Sequence, residues 1–262
     1  MSGLSYALTD SATMLRRNLR HAQRYPSLTM ASVMMPIVIL LLFVGVLGDA
    51  LGAGVGGAAA HGRYVDYVAP GIILMTVASG CLSTSVSVSI DMTGGIVNRF
   101  RTMAISRASL LTGHVLGSMI QTVVSTALVI AVAVLLGFRP TAGLLDWIAA
   151  IGLLLLLAFA LTWLAVLIGL ISKSPESASN TPLLIQFLPF VSSAFVPTGS
   201  MPAGVRWFAE NQPFTPIIET TRGLLLGTPV GSSGTIAVAW CVGIALAGYL
   251  GARAAFNRPR AS

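Results

Sequence analysis

With 262 residues, 55% of them apolar, 9% charged and a mean hydropathy of +0.86, the chain carries too few charges to cover a soluble globule. It reads as a polytopic, all-α integral membrane protein, most of whose length lies in apolar spans able to cross about 30 Å of hydrocarbon. The net charge of +7 comes from basic residues spread over several short loops, which fits membrane topology and anionic lipid and argues against nucleic acid.

Residues 1–27 are polar and hold Arg16, Arg17, Arg20 and Arg24, with Leu4, Leu8, Leu15 and Leu19 at helical spacing, as in an interfacial helix. Residues 28–48 form the first expected span, longer than the roughly 7 to 15 apolar residues of a signal peptide. A Gly- and Ala-rich loop leads to the second span, residues 68–90. The polar stretch 91–110 (DMTGGIVNRFRTMAISRASL) cannot lie in lipid. At helical spacing Ile96, Phe100, Met103 and Ala104 share one face, while Asn98, Arg99, Arg101 and Thr102 point elsewhere, so it reads as a basic amphipathic helix rather than a bare connector. The third span is expected at 111–136, the fourth at 147–171, a fifth at 178–196 bent by Pro182 and Pro189, and the sixth at 235–256. Residues 197–234 are too polar to span.

Charge orients these six spans. The N-terminal segment, the central stretch, Lys173 and the tail place eleven Lys and Arg on one side, against Arg63, Arg139, Arg206 and Arg222 on the other. The rule that basic residues stay inside puts both termini in the cytoplasm.

No span carries Asp, Glu, Lys or Arg near its middle, where ion-driven carriers commonly keep coupling groups. The single lysine, Lys173, follows Ser172 where a phosphate-binding loop needs Gly, and Leu167 holds the place of its first Gly, so any ATPase is expected on another polypeptide. Ser79–Gly80 with His114 suggests a nucleophile and base, but Val77 stands where the nucleophile elbow needs Gly. Thr76, Ser79, Ser83 and Ser87 recur at three- and four-residue steps as one polar stripe. The stripe, with Gln121 in the third span, either lines a substrate route or bonds helix to helix, the commoner use; Gly113 and Gly117 before Gln121 favour close packing. Cys81 and Cys241 read as packing residues, and His21, His61 and His114 as loop or helix-end residues without metal spacing.

The run from Phe195 to Gly227 resembles the extracytoplasmic segment of ABC-2 type permeases, especially the daunorubicin-resistance branch, through Phe195, Pro197, Met201, Pro202, Asn211, Gln212, Pro213, Thr215, Pro216, Arg222 and Gly227 in order. It is joined by GGIVNRFRTMAISR at 94–107, and the likeness covers nearly the whole chain as one transmembrane domain, 1–262. The resemblance implies an exporter permease for amphipathic drugs or lipid-like molecules. It implies that Ile96, Arg99, Phe100, Arg101, Met103 and Arg107 form a coupling helix docking on a separate ATPase subunit in two copies. ATP and Mg would sit on that subunit, and a second permease chain would complete the route. Short re-entrant helices are implied in the outer segment, as a cap or a gate. The family often has Pro where Ala104 stands and Trp near Gly204, whereas the indole here is Trp207. A non-transporting membrane scaffold and an intramembrane hydrolase are the rival readings.

Overall fold

The computed structural model describes residues 26–48, 64–93 and 107–257, with side chains for 33–48, 64–93 and 113–256. The segments 1–25, 49–63, 94–106 and 258–262 lie outside the described residues, and with them the expected interfacial helix and most of the central amphipathic stretch.

The described residues are mostly helical, with short turns between helices and no strand among them. Where water is absent, each backbone N–H and C=O needs a partner within its own segment, and an apolar run meets that condition only as a helix. The elements are α1 (Pro26–Leu41, continued by a wider turn Leu42–Val46), α2 (Tyr64–Thr93), α3 (Arg107–Leu135), α4 (Leu144–Ile171), α5 (Pro175–Phe187, continued by a tight turn Leu188–Val191), α6 (Ala203–Asn211), α7 (Phe214–Leu226) and α8 (Ser233–Asn257). Four helices are long and apolar enough to cross a membrane: α2, α3 from Gly113, α4, and α8 to Phe256. The second, fourth and sixth expected spans thus fall inside these helices and the third coincides with α3 except for Leu136, each helix beginning two to four residues before the expected span.

α2 is the hub. It packs against α1, α3, α4, α5 and α7. Val68, Ile72, Ile73 and Leu74 are fully enclosed, together with Leu40 of α1, Phe138 after α3, Leu157 of α4 and Ile217 and Ile218 of α7. Because lipid is as apolar as a leucine side chain, such helices hold together by close van der Waals fit, which small residues permit. At Gly71 a methyl group would lie 2.6 Å from Cβ of Ala194, and at Gly248 one would lie 2.7 Å from the backbone N of Leu164.

Helix ends follow local chemistry. Asp146 in the first turn of α4 accepts from Gly143 N at 3.1 Å, a carboxylate at the positive end of a helix. Ser174 caps α5, accepting from Ser177 N at 3.3 Å, with Pro175 at the first helical position. Gly227 closes α7 at φ +65, a conformation that a Cβ penalises.

The fifth expected span is a broken element rather than one bent helix. Pro182 is tolerated inside α5, but the helix stops at Phe187 and Leu188–Val191 tightens around Pro189. A proline lacks the N–H that the next helical turn would use. The segment nonetheless runs beside α2: Ser85 donates to the Ala178 carbonyl at 2.9 Å, and Ala194 seats on Gly71. From residue 178 to 194 at helical rise is about 24 Å, close to the roughly 21 Å between residues 85 and 71 of α2, so the two run antiparallel.

Candidate functional site

The arrangement has two distinct ends. At one, α2 begins, the α3–α4 turn passes, and α6 and α7 lie between the fifth segment and α8. At the other, α2 ends, α3 begins, and Val88, Val115, Val166, Leu170 and Ala252 form a small separate core.

Arg222 of α7 joins three segments at the first end. Its Nε donates to the Tyr67 carbonyl at 3.1 Å, an Nη donates to the Ser193 carbonyl at 2.6 Å, and the guanidinium lies 3.9 Å from the Tyr67 ring centroid. Burial pulls the guanidinium below its usual pKa, while Tyr67 and Glu219 oppose that shift, so the group stays charged. Around it, Tyr64 donates to the Phe195 carbonyl at 3.2 Å, Arg139 N donates to Asp66 at 3.1 Å, and Thr141 donates to the Leu226 carbonyl at 2.8 Å. Gln212, buried between α6 and α7, donates to the Val191 carbonyl at 3.1 Å and accepts from Phe214 N at 3.3 Å. Arg139, Arg206 and Arg222 therefore belong to one end, as the charge count groups them.

The outer family residues divide by exposure. Thr215 and Pro216 are buried, Pro197, Met201, Pro213 and Arg222 are partly buried, and Pro202, Trp207 and Asn211 are exposed, Asn211 donating to the Trp207 carbonyl at 2.7 Å. Two short helices, α6 and α7, stand where the resemblance implies them. An apolar cleft of about 320 Å³ opens beside them, lined by Leu188, Trp207, Phe208, Asn211, Gln212 and Pro213.

The polar stripe of α2 is coherent in space but changes character along its length. Thr76 and Ser79 are enclosed and donate to their own helix, at the Ile72 carbonyl (2.9 Å) and the Thr76 carbonyl (2.7 Å). Ser83 is half-buried, donating to the Gly80 carbonyl at 3.1 Å, and Ser87 is exposed. Gln121 is half-buried on α3, between Ser118 and Thr122, which face Thr84 and Gly80. Gly113 and Gly117 are both buried, as close packing requires.

Ile96, Arg99, Phe100, Arg101 and Met103 lie outside the described residues; Arg107 is the first residue of α3, its side chain likewise outside.

One sequence expectation changes here, and the hydrolase arrangement already disfavoured by Val77 finds no geometry. His114 is not a loop or helix-end residue: it is 5% exposed, two turns inside α3, with Nε2 2.9 Å from Oδ2 of Asp91 on α2. The Ser79–His114 pairing also fails, because twelve residues of α2, about 18 Å at helical rise, separate Ser79 from the histidine's partner. A nucleophile must lie within hydrogen-bond reach of its base, so the hydrolase reading has no site there. Asp91 and His114 stand 23 residues apart on different helices, and only the antiparallel packing of those helices brings them together. Cys81 and Cys241 are free and buried, as packing residues.

These features define the class, an integral membrane protein with four helices long and apolar enough to cross a membrane and a hydrogen-bonded segment of two short helices at one end. The chain belongs to the ABC-2 type transporter family, whose description it matches over residues 10–226, and is a membrane permease of an ABC exporter. It is 28% identical over 251 residues to the daunorubicin resistance ABC transporter permease protein DrrB1 of Streptomyces coeruleorubidus, covering 95% of this chain and 84% of that protein. It is 26% identical over 208 residues to the probable doxorubicin resistance ABC transporter permease protein DrrC of Mycobacterium tuberculosis, covering 79% of this chain and 75% of that one. Membership makes it a permease subunit that works with an ATPase partner.

Proposed function

We propose that this permease moves amphipathic drugs or lipid-like molecules out of the cytoplasm or the inner leaflet, driven by ATP hydrolysed with Mg on two copies of a separate subunit. The observation that carries this reading is the extent of the similarity, 95% of the chain against a permease named for daunorubicin resistance. A second permease chain completes the route, and residues 1–262 act as one transmembrane domain of six spans. α1 and the broken fifth segment supply the two crossings beyond the four long helices. Both termini face the cytoplasm, as the basic residues argue, so the Arg222 end faces outward. Ile96, Arg99, Phe100, Arg101, Met103 and Arg107 dock the ATPase. Of the stripe, Ser83, Ser87 and Gln121 are the residues open enough to meet substrate; Thr76 and Ser79 are closed off by their own helix and neighbours.

The test is efflux of a fluorescent anthracycline from cells expressing this chain alone, the chain with its ATPase, and the chain with an ATPase lacking the catalytic carboxylate. Only the second should lower cell-associated drug. Equal accumulation in all three overturns the exporter reading for that substrate class.

A further inference from the structure

In a chain with eight acidic residues and three histidines, one carboxylate and one imidazole meet in a buried contact between α2 and α3. His114 is 5% exposed and Asp91 9%, with Nε2 and Oδ2 2.9 Å apart. An ionised carboxylate only accepts, so opposite one the imidazole donates through Nε2–H. A buried polar group costs free energy unless it is hydrogen-bonded, so a contact at 2.9 Å between the two groups favours keeping the helices together at this point.

The pair is the end of a ladder. Farther along the same two helices, the hydroxyls of Thr84 and Ser118 are 2.7 Å apart. A methyl group at Gly80 would lie 2.5 Å from Oγ1 of Thr122, so the two helices touch there as well. The partners run 91 with 114, 84 with 118 and 80 with 122, one number falling as the other rises, as in a single antiparallel hairpin. Three of its rungs are thus polar or sterically close contacts, and the charged one stands at the end from which the chain leaves α2 and re-enters α3.

We propose that Asp91 and His114 are positioning residues that clasp α2 to α3, so that the hairpin moves as one rigid unit when the ATPase partner drives transport. This rests on the exporter reading above. Force applied at the linked end of a helix hairpin is transmitted inward only if the pair does not splay, and contacts between packed elements carry coupling energies of about 1–3 kcal/mol. Without the clasp, the helix ends separate, ATP is still hydrolysed, and less of that work reaches the membrane interior.

The experiment uses the full chain with its ATPase in membrane vesicles, reading ATPase capture, ATP hydrolysis and drug transport together. Asp91→Ala and His114→Ala should keep ATPase capture while transport per ATP falls about fivefold or more. The exchange Asp91→His with His114→Asp should regain at least half of the loss, which a packing defect would not. A third variant carries Asp91→Cys and His114→Cys in a Cys81→Ala, Cys241→Ala background, and so remains informative if the alanine variants insert poorly. It should transport weakly until a short bis-methanethiosulfonate links the two positions, each cysteine sulfur forming a disulfide as methanesulfinate leaves, and recover afterwards. Normal coupling in the single variants, no rescue by the exchange, or a link that leaves or makes transport low would each overturn the clasp. If instead wild-type transport is the same with and without the ATPase, the exporter reading fails; if wild type depends on the ATPase and the single variants couple normally, the clasp fails alone.

Discussion

Arg222 holds its guanidinium 3.9 Å from the centre of the Tyr67 ring while donating to the Tyr67 carbonyl at 3.1 Å, across 155 residues of sequence. One side chain thereby ties the second of two short helices to the start of the hub helix and, through Ser193, to the end of the broken fifth segment. Hydrogen bonds from a charged donor contribute about 1.5–3 kcal/mol each, and cation–π contact adds about 1 kcal/mol.

Arg222→Ala should therefore lower stability in detergent by on the order of 3 kcal/mol, since it removes two hydrogen bonds from a charged donor together with the ring contact. Arg222→Lys should recover less than half, because an ammonium cannot stack and reach both acceptors in the guanidinium's fixed geometry. Thermal unfolding of the purified chain checks this; equal midpoints for wild type and Arg222→Ala would show that the staple contributes nothing.

The contact between α4 and α8 gives a matched pair of substitutions. Gly248→Ala puts a methyl group 2.7 Å from Leu164 N and 2.8 Å from the Trp163 carbonyl carbon, backbone atoms that cannot swing aside. Such overpacking costs about 1–3 kcal/mol. Gly243, one turn earlier on α8, has nothing within 4 Å of the same methyl, and Gly243→Ala should be neutral or slightly stabilising. Unfolding midpoints that move equally for both variants would contradict the packing described.

Orientation is open to direct labelling. Cys81 and Cys241 are buried, so background reaction in intact cells should be low. A thiol introduced by Ser200→Cys should react with an impermeant maleimide, and one introduced by Lys173→Cys should react only after the membrane is opened; both native residues are exposed. The reverse pattern would invert the topology, and with it the assignment of the Arg222 end to the outside.

Transport should persist when an uncoupler collapses the proton gradient, provided ATP is held constant. The four long spans carry no acidic or basic residue near their middles, whereas gradient-driven carriers commonly place one there. Asp91 lies two residues from the end of α2 and pairs with His114, so it is a poor substitute for a mid-span group. Drug efflux that stops under these conditions would identify a secondary transporter.

Membrane class, helical architecture and family were legible in the residues themselves. Hydropathy and backbone satisfaction are local properties: a run such as residues 147–171 has no alternative to a helix in lipid, and the motif from Phe195 to Gly227 keeps its order whatever the fold does. The short helices of the outer segment followed from that resemblance, and its prolines agree with their shortness. The break after Phe187 was only half visible, since a proline announces a disturbance but packing decides between a bend and a stop. Contacts between distant residues were not legible at all. Nothing near position 114 marks His114 as buried, and nothing near position 67 points to Arg222. Periodicity describes which face of a helix is apolar, whereas the choice of neighbour depends on how long helices cross and where a small residue lets them approach. In the sequence Asp91 was part of a polar connector and His114 an isolated histidine; the antiparallel packing of α2 on α3 made them a pair, because buried polar groups are favoured where a hydrogen-bonding partner lies in reach.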